Sequence, residues 1–189
     1  MPEAVRQLRT GLRAVILLTV VLGIAYPALV LGLGHAFEHE RTGSPVTRQG
    51  VIDGSSLIAQ PFPGPGWFQP RPSAVDYNAL ASGGSNLGPN SDQLVVTIDK
   101  RRREVARREG VPAEAVPTDA VTASGSGLDP NISPAYAELQ VNRVARERGL
   151  SPDRVRALVA AHTQGRVLGF LGQPRVNVVE LNTALADQG

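Results

Sequence analysis

Residues 14–34 read AVILLTVVLGIAYPALVLGLG, a run without a single charged side chain. At 1.5 Å rise per residue, roughly twenty apolar residues cross a hydrocarbon core about 30 Å thick, so the run predicts one transmembrane helix. Arg6, Arg9 and Arg13 precede it with only Glu3 opposing them, whereas His35, Glu38, His39, Glu40 and Arg41 follow. That bias of basic residues keeps the N-terminus in the cytoplasm and sends the rest of the chain outside. A cleaved signal peptide is the competing reading, but its apolar core is shorter and ends at a small-x-small site. Pro27 sits within the run with Gly23 one turn before it, and a proline frees a backbone carbonyl that lipid cannot satisfy. Gly23 and Pro27 are therefore candidate contacts with a neighbouring helix, with close approach also open at Gly32 and Gly34.

Working outward, residues 1–13 form a short inner tail, residues 35–50 a connector with turn residues and no periodicity, and residues 51–189 one external domain. A chain of 189 residues has room for one usual domain plus an anchor. The domain is loop-rich, since the chain carries 20 glycines and 15 prolines but only eight aromatic residues. With 19 basic against 17 acidic side chains there is no basic surface for nucleic acid. Cysteine is absent, which excludes disulfides, thiolate metal sites and a cysteine nucleophile.

Within the domain, residues 51–59 suit a strand. Pro61, Pro63, Pro65, Pro70 and Pro72 then rule out a central strand or helix interior and predict an extended surface loop. Trp67, Phe68 and Tyr77 lie in or just beyond it, either as core packed under the loop or as a contact patch for a partner. Ser91 caps a helix with Leu94, Ile98 and Val105 on one stripe, stopped by Gly110. Its run of Lys100, Arg101, Arg102, Arg103, Arg107 and Arg108 reads as a solvated face or, alternatively, as a contact with anionic lipid or a partner. Ser133-Pro134 and Ser151-Pro152 open two further helices, ending near Gly149 and Gly165. Residues 167–171 and 176–178 are short strand candidates on either side of a Gly172-Gln173-Pro174 turn, before a last helical turn or two around Leu181 and Leu185. The fold class is α+β: one N-terminal transmembrane helix and a single loop-rich extracytoplasmic domain.

Two segments are rich in glycine and hydroxyls. In the first, Ser82, Gly83, Gly84, Ser85 and Asn86 have the composition of a phosphate cradle, yet their spacing matches neither a Walker loop nor a dinucleotide fingerprint and there is no lysine. A tight turn leading to the Ser91 helix is the structural alternative. The second, residues 122–130, lacks the strained G-x-S-x-G turn of hydrolases. His35 and His39, four apart, would share a helix face, but no third metal ligand stands nearby apart from Glu38 and Glu40, and no metal is expected. His162 sits near a helix C-terminus, where the dipole favours a charged imidazole. No nucleophile, base and orienting group assemble, so the residues favour a binding or structural subunit over an enzyme.

The order of motifs resembles the C subunit of the Kdp-type potassium-transporting P-type ATPases of bacteria. It is carried by Gly54-Ser55, Leu57-Ile58 and Gln60; by Arg71-Pro72-Ser73-Ala74 and Tyr77-Asn78; by the stretch from Ser82 to Pro89; by the stretch from Val121 to Pro130; by Gln140-Val141 and Arg143-Val144-Ala145; and by Val176-Asn177-Val178 with Leu181-Asn182. Asn131 stands where the family more often has histidine, Ala59 where glycine is usual, and the loop at 61–66 is richer in proline. The resemblance implies a non-catalytic, single-span subunit of an ATP-driven potassium uptake complex in the inner membrane. It implies as partners a channel-like potassium-binding subunit, a P-type pump subunit and a small single-span subunit, besides membrane lipid. It also implies a chaperone-like role in raising the pump subunit's affinity for ATP, with the Ser82-Gly83-Gly84-Ser85 region likened to an ATP-cassette signature. The alternative is a regulatory subunit contacting ATP directly through that loop, and the arginine bias places the loop on the wrong side of the membrane for it. Candidate contacts with partner subunits are Gly23, Pro27, Trp67, Phe68 and Arg71.

Overall fold

A computed structural model describes residues 2–48 and 50–188. The chain forms two units, Met1–Ser44 and Pro45–Gly189. In the first, helix α1 (Glu3–Val20) passes through a widened turn (Val21–Ala25) into helix α2 (Tyr26–Gly34). The Tyr26 N–H bonds to the carbonyl five residues back, at Val21. The cause is Pro27, which has no N–H and whose ring would strike the carbonyl of residue 23 in a regular helix. No side chain of α1, the widened turn or α2 is buried within the chain, and Glu3–Gly34 is long and apolar enough to cross a membrane. The helix does not continue through the histidines. His35 caps α2, and a separate one-turn helix, α3 (Glu38–Arg41), carries His39, so the two imidazoles share no helix face.

The second unit begins earlier than the composition suggests. Strand β1 (Pro45–Arg48) pairs antiparallel with β2 (Val51–Ser55), with a register irregularity between Val46 and Thr47. The stretch read as a plain connector to residue 50 therefore contains half a hairpin, and the strand expected to reach residue 59 stops at Ser55.

Helix α4 (Asp92–Glu109) is capped by the Ser91 hydroxyl, which accepts the Leu94 N–H, and ends on left-handed Gly110 (φ 70°). Helix α5 (Pro134–Arg148) opens on Ser133 in the same way and ends on Gly149 (φ 67°). Helix α6 (Pro152–Ala161) opens on Ser151 but stops four residues short of Gly165. It stops because residues 163–164 leave the helix to form strand β4 (Thr163–Gln164). Strands β3 (Asn131–Ile132) and β4 flank β5 (Arg175–Asn177) in a small antiparallel sheet ordered β3-β5-β4. Residues 167–171 form no strand; a single bridge joins Val167 to Leu171 around an exposed turn. Helix α7 (Val178–Ala186) follows β5 directly, its N-cap Asn177 accepting N–H bonds from Val179 and Glu180.

The core lies around α5, whose Tyr136, Ala137, Val141, Val144 and Ala145 are buried. Val105 and Ala106 of α4, Val155 and Val159 of α6, and Val178, Leu181 and Leu185 of α7 close on it, together with Phe68 and Val176. Burying each valine, leucine or phenylalanine among them stabilises by about 1.5–3 kcal/mol relative to exposure, which lets a sheet of two- and three-residue strands persist.

Candidate functional site

The five prolines of the 61–72 loop remove donors that a sheet would need, and the loop is held instead by side chains. Asn182 of α7 accepts the Phe68 N–H (2.9 Å) and donates to the Phe68 carbonyl (2.9 Å). Gln140 of α5 does the same for Gln69, at 2.7 and 3.1 Å. Two amides thus stand in for a neighbouring strand. Arg143, 2% exposed, donates to the carbonyls of Pro65 and Trp67, to Gln140, and through Nε to Glu109 at 2.9 Å. The Glu109 side chain is completely buried and also accepts from Arg108 Nε at 2.7 Å. Arg148 lies over the Trp67 ring, 3.8 Å from its centroid, and donates to the Gly66 carbonyl.

Beyond Pro72 three loops converge on residues 122–130. Arg71 reaches Asp129 at 3.2 Å and the carbonyls of Thr122 and Ala123 at 3.4 Å. The Ser124 N–H donates to the Pro72 carbonyl and the Ala59 N–H to that of Leu128. The two glycine segments lie against one another, with the Gly83 N–H (2.8 Å) and the Ser82 hydroxyl (3.1 Å) both donating to the Ser126 carbonyl. Space decides the glycines here. A methyl group at Gly84 would stand 3.0 Å from the Gly125 carbonyl oxygen. One at Gly127, where φ is 70°, would stand 2.5 Å from Val75 Cγ2 and 2.8 Å from the Gly83 oxygen. The donors that recommended Ser82 and Gly83 as a phosphate cradle are directed at a carbonyl of the chain itself.

Ser73 links this clasp to the surface of α4. Its hydroxyl accepts the N–H groups of Val75 (3.1 Å) and Tyr77 (3.0 Å). Between them the backbone turns left-handed at Asp76 (φ 51°) and Tyr77 (φ 58°). Non-glycine residues held there cost about 1–3 kcal/mol each and persist where surrounding contacts over-determine them. The Tyr77 hydroxyl donates to the Arg71 carbonyl at 2.8 Å. Burial, then the neighbouring Tyr136, pushes the Tyr77 phenol up to about 12. The turn faces Arg101, Glu104, Val105 and Arg108, which share one stripe of α4, and Tyr136 across a cavity of about 300 Å³.

The candidate residues therefore separate. Ser82, Gly83, Gly84, Ser85 and Asn86 lie together, Asn86 with φ 53°, and Arg71 ties their partner loop to the proline segment. Phe68 is 0% exposed and belongs to the core, which leaves no surface for a partner. Trp67 is partly buried under Arg148, and Gly23 and Pro27 belong to the other unit. Reading the residues missed Glu109, Gln140, Arg143 and Asn182 as the frame of the proline loop. The available signal was the loop itself, because backbone that prolines keep out of a sheet needs side-chain partners. The basic run of α4 is also divided, with Arg101 donating to the Val121 carbonyl and Arg108 to the Tyr136 hydroxyl, while Lys100, Arg103 and Arg107 border a separate surface groove.

The family model described as KdpC, K+-transporting ATPase, c chain, matches residues 8–187. A potassium-transporting ATPase KdpC subunit from Kineococcus radiotolerans is 52% identical, covering 95% of this chain and 93% of the relative. One from Sorangium cellulosum is 50% identical over 94% and 96% of the two chains, and one from Koribacter versatilis 46% identical over 95% and 94%.

Proposed function

The chain belongs to the KdpC family of K+-transporting ATPase c chains, and from that premise we propose that it acts as a non-catalytic assembly subunit of an ATP-driven potassium uptake complex. It is anchored in the bacterial inner membrane by residues 14–34, with its N-terminus in the cytoplasm and the domain from Pro45 onward outside. Its partners are the channel-like potassium-binding subunit, the P-type pump subunit and a small single-span subunit, with lipid around the span. Any rise in the pump subunit's affinity for ATP passes through assembly. Direct contact with ATP through residues 82–86 loses support, because the Gly83 N–H and the Ser82 hydroxyl are engaged with Ser126.

The observation that carries this reading is the helix interrupted before Pro27. Lipid offers no donor to a carbonyl that proline has left without one; the widened turn absorbs part of that loss within the helix, and a neighbouring helix packed on the interruption would cover the rest. Thr19, Gly23 and Pro27 recur every four residues and put a hydroxyl, a small residue and the interruption on one face. Apart from Thr19 Cγ2 at 3.9 Å, nothing stands within 4 Å of a methyl group placed at Gly23. A side chain there leaves the isolated helix intact and obstructs only an external partner. Gly23→Ile is expected to cut recovery of the pump and channel-like subunits with the tagged chain at least fivefold, at equal membrane content of the chain. Undiminished recovery would refute the assembly reading.

A further inference from the structure

We propose that the cavity between the 73–77 turn and α4 is a binding site for a carboxylate group. Nothing in the assembly role requires it, and the inference stands on the cavity alone. Arg101 and Arg108 sit two turns apart on one face of α4, and both border the space with Tyr77 and Tyr136. A guanidinium has five N–H donors. Arg101 directs one to the Val121 carbonyl, and Arg108 directs two to Tyr136 and Glu109, so both retain donors for a ligand. The Tyr136 hydroxyl accepts from Arg108 at 3.0 Å, which leaves its own proton free to point elsewhere. Among the described residues no hydrogen bond takes that proton. Burial raises the phenols of both Tyr77 and Tyr136, so both stay protonated at neutral pH; Tyr77, its proton given to the Arg71 carbonyl, is a neutral wall, and Tyr136 is the donor.

The charges select the ligand. Arg101, Arg108, Asp76 and Glu104 border the cavity, Glu104 pairs with Lys100, and Glu109 lies between Arg108 and Arg143. Four cations against three carboxylates leave one positive charge uncompensated. A monoanion balances it, whereas a phosphate dianion would overshoot and approach Asp76 and Glu104. Two planar guanidinium groups with a phenolic donor match the two oxygens of a carboxylate, and about 300 Å³ admits that group with a short stem. The left-handed backbone at Asp76 and Tyr77 is consistent with a built site, since it holds Tyr77 at the rim. Such a carboxylate could belong to a small free acid or to an acidic side chain or C-terminus of a neighbouring subunit.

The test is a titration of the full chain in nanodiscs with sodium acetate, reading the tyrosine ring NMR signals at constant ionic strength held with sodium chloride. We expect a saturable shift of the Tyr136 signals with acetate. The midpoint should rise at least tenfold in Arg101→Gln and remain unchanged in Arg103→Gln, a residue of the same helix outside this cavity. Tyr136→Phe, followed through the Tyr77 signals, supplies a second variant should Arg101→Gln not fold, and it too should weaken acetate binding. Repeating the titration on the assembled complex separates the sources: a response that persists identifies a site for a free acid, and one abolished by assembly identifies a carboxylate supplied by a neighbour. A linear response of the chain alone, a response equal to that produced by inorganic phosphate, or a midpoint indifferent to both variants would overturn the proposal.

Discussion

At the scale of single residues, the two glycine segments show why glycine was chosen. Gly127 combines a left-handed backbone with neighbours at 2.5 and 2.8 Å from a would-be methyl group, whereas nothing lies within 4 Å of one at Gly88. Gly127→Ala should therefore lower the unfolding free energy by about 2–4 kcal/mol, from left-handed strain and overpacking together. Gly88→Ala should be near neutral, and paired thermal melts check the contrast. Tyr77 adds a pH dependence. Its folded pKa, about 12, lies above the unfolded value of 10, so the folded state holds the proton more firmly. The corresponding stability is fully present below pH 10 and is lost as the pH rises toward 12. Tyr77→Phe should flatten the fall in stability over that window, as urea unfolding at pH 9 and at pH 11.5 would show. The glycine content of both segments was plain in the sequence. Their mutual contact was not, because Ser82 and Ser126 are 44 residues apart and no local pattern encodes such a meeting.

At the scale of elements, helix starts were legible, as were the strands at Val51–Ser55 and Arg175–Asn177 to within a few residues, while the shortest strands were not. Ser91, Ser133 and Ser151 each cap the helix they announced, because a hydroxyl satisfying an N–H group of the first turn is a local event. Strands β3 and β4 are two residues long and exist only through pairing with β5, which also ends α6 before Gly165. Residues 167–171 have the apolar content of a strand but find no partner beyond their own bridge. The proline loop was recognised as loop, while its anchoring depended on side chains far along the chain. Asn182→Ala would leave the N–H and carbonyl of Phe68 buried and unpaired, a loss of about 2–6 kcal/mol at about 1–3 kcal/mol per group. Hydrogen exchange should show the Phe68 amide losing protection in this variant by at least tenfold, with the α4 amides exchanging no faster than global unfolding allows.

At the scale of the whole molecule, the division into an apolar helical unit and an α+β unit follows from one contrast in composition, the run at 14–34 against the mixed chain after it. Orientation can be tested because the chain has no cysteine. With Ser85→Cys and Thr10→Cys made separately, a membrane-impermeant thiol reagent applied to intact cells with a permeabilised outer envelope should label the first and spare the second. Labelling of position 10 alone would reverse the topology. The pairing of Phe68 with Asn182, 114 residues later, has a consequence in time. The ribosome delivers the N-terminal side first, so the proline loop is made long before the amide that holds it. Until α7 has followed, that loop is unguarded, and a chain cut short before residue 182 would present it permanently to proteases. The last helix works as a latch, and the domain is closed from its tail.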